Sequence, residues 1–295
     1  MTSAAVDSQL EIVRSVAALR RLVAKWRQNG DSIAFAPTMG ALHDGHMSLI
    51  HKANTVADRT VASIYVNPAQ FAPHEDFSSY PRSEDDDLAR LAAAGCDLAY
   101  LPDPSEMYPP GFQTSITIGE VSHGLCGASR PHFFGGVAII VCKLLNQVAP
   151  DYAIFGEKDY QQLLVIRRMV RDLDMPVEIV GAPIVREADG LAMSSRNAYL
   201  NDAERQTAGH LNRVIASMAS DLENAGDAAE ITARGKDTLM HAGFSAVDYL
   251  EVRNAETLAP FLGGPVDKPA RVFAAAIIGK TRLIDNWPVN PPARA

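Results

Sequence analysis

The sequence predicts an α/β protein: a parallel sheet domain with helices on both faces, followed by a smaller α+β C-terminal domain. Three observations carry this. Between residues 33 and 184, short apolar or β-branched runs alternate with stretches whose apolar residues recur at helical spacing. Two of those runs end in glycine-containing turns that open helices, which makes the sheet Rossmann-like. Beyond residue 185, helices and strands come in blocks. The expected domains are residues 1–184 and 185–290.

Length and composition set the bounds. A chain of 295 residues, 47% apolar, suffices for two domains with a sizeable core. With 35 acids against 27 bases the net charge is −8, which argues against a general nucleic-acid binder. Cys96, Cys126 and Cys142 are isolated, as in a reduced, cytoplasmic protein. The chain does not open on a signal-peptide pattern. No apolar run approaches the ~18 residues of a membrane span. The proline-rich stretch at residues 288–295 is expected to fray.

In order, residues 12–26 read as a surface helix with Ile12, Val16, Leu19, Leu22, Val23 and Trp26 on its face, closed by Gly30. Residues 33–36 are the first strand. After the turn that follows, Met47, Leu49, Ile50, Ala53, Val56 and Ala57 mark a helix face. Residues 60–66 are strand-like and end at the turn signal Asn67-Pro68. Ser83 is placed to cap the next helix, and Glu84, Asp85, Asp86 and Asp87 suit the positive end of its dipole. Asp86 and Asp87 also qualify as outer-shell partners for magnesium. Gly95 stops that helix. Residues 97–101 are a third strand, 102–111 a proline-rich loop and 114–118 a short strand. Gly135 and Gly136 precede a helix faced by Val137, Ile140, Val141, Leu144 and Leu145. Ile154-Phe155 ends a strand at Gly156, and Tyr160, Leu163, Leu164, Ile166 and Val170 face the next helix. Residues 177–180 are a further strand. In the second domain, 203–222 and 228–241 read as helices, and 246–252, 272–278 and 283–287 as strands.

The chemistry concentrates in Pro37-Thr38-Met39-Gly40-Ala41-Leu42-His43-Asp44-Gly45-His46. Gly40 and Gly45 let the backbone approach a ligand closely. The helix that follows offers unpaired N–H groups and a partial positive charge, which suits phosphate. His43 and His46 can donate to phosphate oxygens. On local chemistry alone the two histidines also fit a helix cap or a shared metal ligand. Neither GxGxxG nor GxxxxGK[ST] is present; Ala274 breaks the latter before Gly279-Lys280-Thr281. Asn67 and Gln70 leave the carboxyl end of a strand, where α/β sheets bind ligands. Lys158 is a point charge for phosphate, and one of Gln161 and Gln162 can face a ligand. Met193-Ser194-Ser195-Arg196 offers two hydroxyls and a guanidinium.

Residues 37–46 resemble the PTMGxLHxGH segment of the pantothenate synthetases (pantoate–β-alanine ligases), a family of the nucleotidylyltransferase superfamily with the HxGH motif. Residues 65–71, 155–162, 189–197 and 281–286 resemble further segments of that family in the same order and spacing, so the resemblance spans nearly the whole chain. Residues 193–196 resemble the KMSKS-type loop of the superfamily. There is one departure. The family's Pro-x-His-Phe-x-Gly-Val is Pro131-His132-Phe133-Phe134-Gly135-Gly136-Val137 here, so Phe133 stands where the histidine would be and no role is carried to His132.

The resemblance implies ATP-dependent condensation of pantoate with β-alanine to pantothenate, through a pantoyl adenylate, with release of AMP and pyrophosphate. That is a step of pantothenate biosynthesis on the coenzyme A pathway. It implies ATP contacts from Met39, Gly40, Ala41, Leu42, His43, Asp44, Gly45, His46, Gly156, Glu157, Lys158, Asp159, Val185, Met193, Ser194, Ser195 and Arg196. His46 is the implied catalytic proton donor. His43, Lys158, Ser194, Ser195, Arg196 and Mg2+ would neutralise the phosphates, with the protein ligands of the metal left open. Gln70 would hold pantoate and face β-alanine, and Gln162 would hold pantoate. A homodimer acting on small molecules, with neither nucleic acid nor membrane as partner, is the implied setting. Two other readings are another nucleotidylyltransferase of the HxGH superfamily and a non-enzymatic nucleotide-binding regulator. AMP formation with and without pantoate and β-alanine separates them.

Overall fold

The structure, a computed structural model, describes residues 10–72, 77–78 and 80–291. Its elements begin with β1 (Glu11–Val13), α1 (Val16–Asn29), β2 (Ile33–Thr38), α2 (Asp44–Val56), β3 (Arg59–Ile64), α3 (Glu84–Ala93), β4 (Leu98–Tyr100) and α4 (Pro104–Met107). They continue with α5 (Leu125–Ser129), α6 (Phe133–Val148), β5 (Tyr152–Gly156), α7 (Tyr160–Asp172) and β6 (Glu178–Ala182). The last are α8 (Asp202–Ala208), α9 (His210–Glu223), α10 (Ala228–His241), β7 (Ala246–Asn254), β8 (Ala270–Ile278) and β9 (Thr281–Val289).

The chain divides into two compact units. The first runs to Ile118 and includes His132–Gly156 and Val165–Ala182; the second comprises Gly119–Pro131, Glu157–Leu164 and the chain from Pro183. The sequence places residues 119–131 and 157–164 in the first domain. They group with the second unit because long-range bonds tie them there. Gln161 accepts from the Cys126 N–H and donates to the carbonyls of Val121, His123 and Gly124, and Asn286 of β9 donates to the carbonyls of Glu157 and Lys158.

In the first unit, six strands form an all-parallel sheet in the order β1-β4-β3-β2-β5-β6. Ala34, Ala36, Ala62, Ala99 and Ile154 share a core with Ile50 and Ala53 of α2 and Leu91 of α3. α6 packs against β2 and α1. Helices thus cover both faces, which is why the strands read as continuous small apolar runs. Strands are added in opposite directions from β2 and β5, so the carboxyl end of β2 lies at the switch point where such sheets bind ligands.

Several local expectations are corrected. Ile12 belongs to β1, paired with Ala99, and α1 starts later because Ser15 caps it, accepting from the Ala18 N–H. Ser83 makes no side-chain cap bond. Residues 114–118 join no ladder. Gly135 and Gly136 lie inside α6 rather than before it. A Cβ on Gly136 would fall 2.1 Å from the Ala69 carbonyl oxygen, so this glycine seats another turn against the helix.

The second unit is an antiparallel sheet, β7-β8-β9, on which α9 and α10 pack. Leu211, Ile215, Leu222, Leu239, Leu250, Val272 and Ala274 form its core. The single helix expected over 203–222 is two helices meeting at Gly209, where a Cβ would sit 2.5 Å from Asp189 Oδ2. Pro288 and Val289, expected to fray, complete β9 and pair with Arg271 and Ala270; an edge strand tolerates the proline. Residues 292–295 lie outside the described residues. Among the described residues, no helix is long and apolar enough to cross a membrane.

Candidate active site

β2 ends at Thr38 and the chain turns sharply into α2. Gly40 and Ala41 both take left-handed backbone conformations, with φ of 82° and 50°. What holds that turn is Asp87, a buried residue of α3. Its carboxylate accepts from the Ala41 N–H at 2.9 Å and from the Leu42 N–H at 2.7 Å. A Cβ on Gly40 would lie 2.9 Å from the same carboxylate, so the close approach that requires glycine here is to Asp87. Burial pushes the Asp87 carboxyl above the ordinary aspartate value, with the two amides pulling it back. Asp87→Ala is expected to lower stability by about 1–3 kcal/mol, because it orphans amides in a buried turn. An unchanged urea-unfolding midpoint would count against that.

His43 caps α2. Its Nδ1 accepts from the Gly45 N–H at 3.1 Å, and Nδ1 of His46 accepts from the His43 N–H at 3.3 Å, a reciprocal capping box made of two imidazoles. An accepting Nδ1 places the ring proton on Nε2. The rings lie with centroids 4.1 Å apart. The expectation of unpaired N–H groups needs correction. The amides of Gly40, Ala41, Leu42, His43, Gly45 and His46 all donate within the protein. Beyond those amides, the turn offers a ligand its two imidazoles and the positive end of the α2 dipole. Leu42 serves the core, and Asp44 is exposed beside Arg90.

Gln70 sits in the short turn after β3, in the same unit, and is buried. Asn67 organises this turn. Its Nδ2 donates to Gln70 Oε1 at 2.9 Å and to the Gly136 carbonyl at 3.0 Å, and its Oδ1 accepts from the Tyr108 hydroxyl at 2.7 Å. Burial pushes the Tyr108 phenol up to about 12, so it remains a donor at neutral pH. The Gln70 amide is thereby held in one orientation.

In the second unit, Lys158 stands in the single turn after β5, its Nζ 3.9 Å from Asp159. Glu157 pairs with Arg271 at 3.1 Å. Val185 and Met193 face each other across a tight hairpin, the Met193 N–H donating to the Val185 carbonyl at 3.0 Å. Ser194 then caps the turn that carries Ser195 and Arg196. Gln162 is partly buried, whereas its neighbour Gln161 is consumed by the bonds to residues 121–126. His132 is exposed at the start of α6. Asp87 and Asn286 are the residues that sequence reasoning missed as supports of the two turns.

A family model, Pantoate-beta-alanine ligase, matches residues 11–288. The chain belongs to the pantoate–β-alanine ligase family. It is a ligase of pantothenate biosynthesis that joins pantoate to β-alanine. A pantothenate synthetase of Paramagnetospirillum magneticum is 54% identical over 286 residues, covering 97% of this chain and all of the relative. The crystal structure of the pantothenate synthetase of Thermus thermophilus is 43% identical, with a TM-score of 0.90 over 96% of this chain and 100% of that one. A pantoate–β-alanine ligase of Francisella tularensis, solved in complex with beta-gamma ATP and beta-alanine, is 30% identical with a TM-score of 0.80 over 95% of this chain and 98% of that one.

Proposed function

We propose that the enzyme activates pantoate with ATP as a pantoyl adenylate and keeps it bound non-covalently until β-alanine attacks. A carboxylate is a poor electrophile. One pantoate oxygen attacks the α-phosphorus of ATP, the bond to the bridging oxygen breaks, and pyrophosphate leaves. The β-alanine amine then attacks the acyl carbon, AMP departs with its oxygen, and the amine loses its proton. The paired-imidazole cap at His43 and His46 carries this reading, because its Nδ1 bonds keep both ring protons on Nε2, where they can meet charge developing on phosphate.

His46 donates its Nε2–H as a hydrogen bond to the charge that gathers on the departing pyrophosphate, without giving the proton up. His43, Lys158, Ser194, Ser195 and Arg196 neutralise the phosphates, and the segments at 39–46, 156–159, Val185 and 193–196 hold ATP. ATP would enter as its magnesium complex, the ion brought by the substrate and supplying positive charge beside the phosphates. That fits a donor set in which Asp87 is spent on two amides and no cluster of three His, Cys, Asp or Glu ligands occurs among the described residues. The enzyme works as a cytoplasmic homodimer. The products test the reading: AMP and pyrophosphate should form only when pantoate is present. Release of ADP and phosphate would overturn it in favour of an acyl phosphate.

Gln70 and Gln162 hold pantoate, and Gln70 also faces β-alanine. The amide orientation set by Asn67 makes Gln70 the more rigid contact. Gln70→Ala is expected to weaken pantoate binding while ATP binding stays near normal. Calorimetric titration with unchanged pantoate affinity would remove Gln70 from that role.

A further inference from the structure

Residues 281–286 carry part of the family likeness, yet no substrate role falls on them. The last two, Asp285 and Asn286, are adjacent buried polar residues of β9, 3% and 1% exposed. Besides a bond to Arg271 of the neighbouring β8, their side chains reach beyond the sheet to two separate segments. Asp285 grips the Arg186 guanidinium with both oxygens, at 2.7 and 3.0 Å. Arg186 follows Val185, forms an antiparallel bridge with Ala192 and donates to the Gly190 carbonyl at 3.0 Å. That hairpin leads directly into residues 193–196. A bidentate Arg–carboxylate pair has a fixed planar geometry, so it sets the orientation of the hairpin as well as its place.

Asn286 does the same for the other segment. Its Nδ2 donates to the carbonyls of Glu157 and Lys158, at 2.9 Å each. Its Oδ1 accepts from Arg271, which also reaches the Glu157 carboxylate at 3.1 Å and lies 3.9 Å over the Tyr160 ring. The backbone that carries Lys158 is therefore held on both sides of the peptide. Buried polar side chains are a costly way to fill a sheet that apolar residues could fill. Holding two loops in fixed positions gives these two a reason to be there.

We propose that Asp285 and Asn286 are positioning residues for phosphate chemistry: Asn286, with Arg271, sets the Lys158 ammonium, and Asp285, through Arg186, sets the loop at 193–196. This rests on the reading that Lys158 and that loop engage the triphosphate. Adjacency on one strand fixes the two loops in a single register within this unit, so a shift in β9 moves both.

The test compares Asn286→Asp, Lys158→Ala and the double variant in the full-length enzyme. Asn286→Asp keeps the shape and the acceptor for Arg271 but turns a carboxylate oxygen toward two carbonyls. Two steps are measured: adenylation, by pyrophosphate exchange, and amide formation from preformed pantoyl adenylate and β-alanine. Asn286→Asp should slow adenylation by about 10–100-fold, the scale of a catalytic group misplaced by about 1 Å. Amide formation should stay within about twofold, and the double variant should be no more than about twofold slower than Lys158→Ala, because both changes act through one ammonium. Losses that multiply, or equal loss in both steps, would reduce Asn286 to a structural residue and overturn the proposal. Normal adenylation by Lys158→Ala would instead sink the phosphate reading itself, and the positioning role with it. If Asn286→Asp does not fold, Asn286→Ser, which sets no charge against the carbonyls, goes through the same cycle. Asp285→Asn is read in the same way against Arg196→Ala.

Discussion

His46→Ala is expected to slow pantoyl-adenylate formation by about 10²–10³-fold, the usual cost of removing one preorganised donor aimed at developing charge. ATP affinity should change much less. The difference follows from where the interaction is strongest. A neutral imidazole donor gains little against ground-state phosphate that water also solvates, and more as negative charge gathers on the departing pyrophosphate. The cap prepares that donor: with Nδ1 engaged by the His43 N–H, the His46 ring is held in one tautomer and one orientation. His46→Ala also leaves the His43 N–H without this acceptor, so part of its effect is structural. His46→Asn separates the two. An asparagine oxygen can take over the cap while offering no Nε2–H at the same reach. Stability should then recover and the rate should not. Activity of His46→Ala within a few-fold of the parent would remove His46 from the mechanism.

Much of the fold was legible because it follows from short-range patterns. The strand–turn–helix units at residues 33–56 and 152–172 show in apolar spacing and glycine placement, and the change to blocks of helix and strand marks the second unit. What the sequence hid depends on contacts across long separations. Asp87 looks like one more acid at a helix start, yet it lies 46 and 45 residues from the amides it fixes. Gly136 reads as a helix-preceding glycine until the Ala69 carbonyl is found against it. Asp285 meets Arg186 across 99 residues. The alternation at residues 114–118 has the period of a strand but no neighbouring strand to pair with, and pairing makes the ladder. The same limit applies to the site. The histidines, Gln70, Lys158 and the 193–196 loop could be named as candidates from motifs, whereas the groups that hold them could not. Gln161 and Gln162 show the difficulty most directly: neighbours of the same type, one spent on backbone carbonyls and one not.

Labelled pyrophosphate should exchange into ATP when pantoate and magnesium are present and β-alanine is absent. The expectation follows from the proposed adenylate, which pyrophosphate can attack to re-form ATP. An acyl-enzyme route needs a nucleophile beside a base, with the base oriented in turn by a third group. The histidines of the turn are engaged with each other and with the cap, both Nδ1 atoms already accepting. Of the thiols, Cys96 is buried and pushed up to about 12 by burial, so it is a poor nucleophile at neutral pH. On the proposed route the activated acid is carried by AMP, and its formation is complete, and reversible, before the amine arrives. Reversal consumes pyrophosphate and returns labelled ATP, at a rate set by the same groups that drive the forward step. Leaving out pantoate should abolish exchange, since no acyl phosphate bond can then form. Exchange that strictly requires β-alanine would point to a concerted route in which amine and nucleotide react together. Exchange without any acid would mean that the enzyme transfers the nucleotide to another acceptor, and the adenylate proposal would fall.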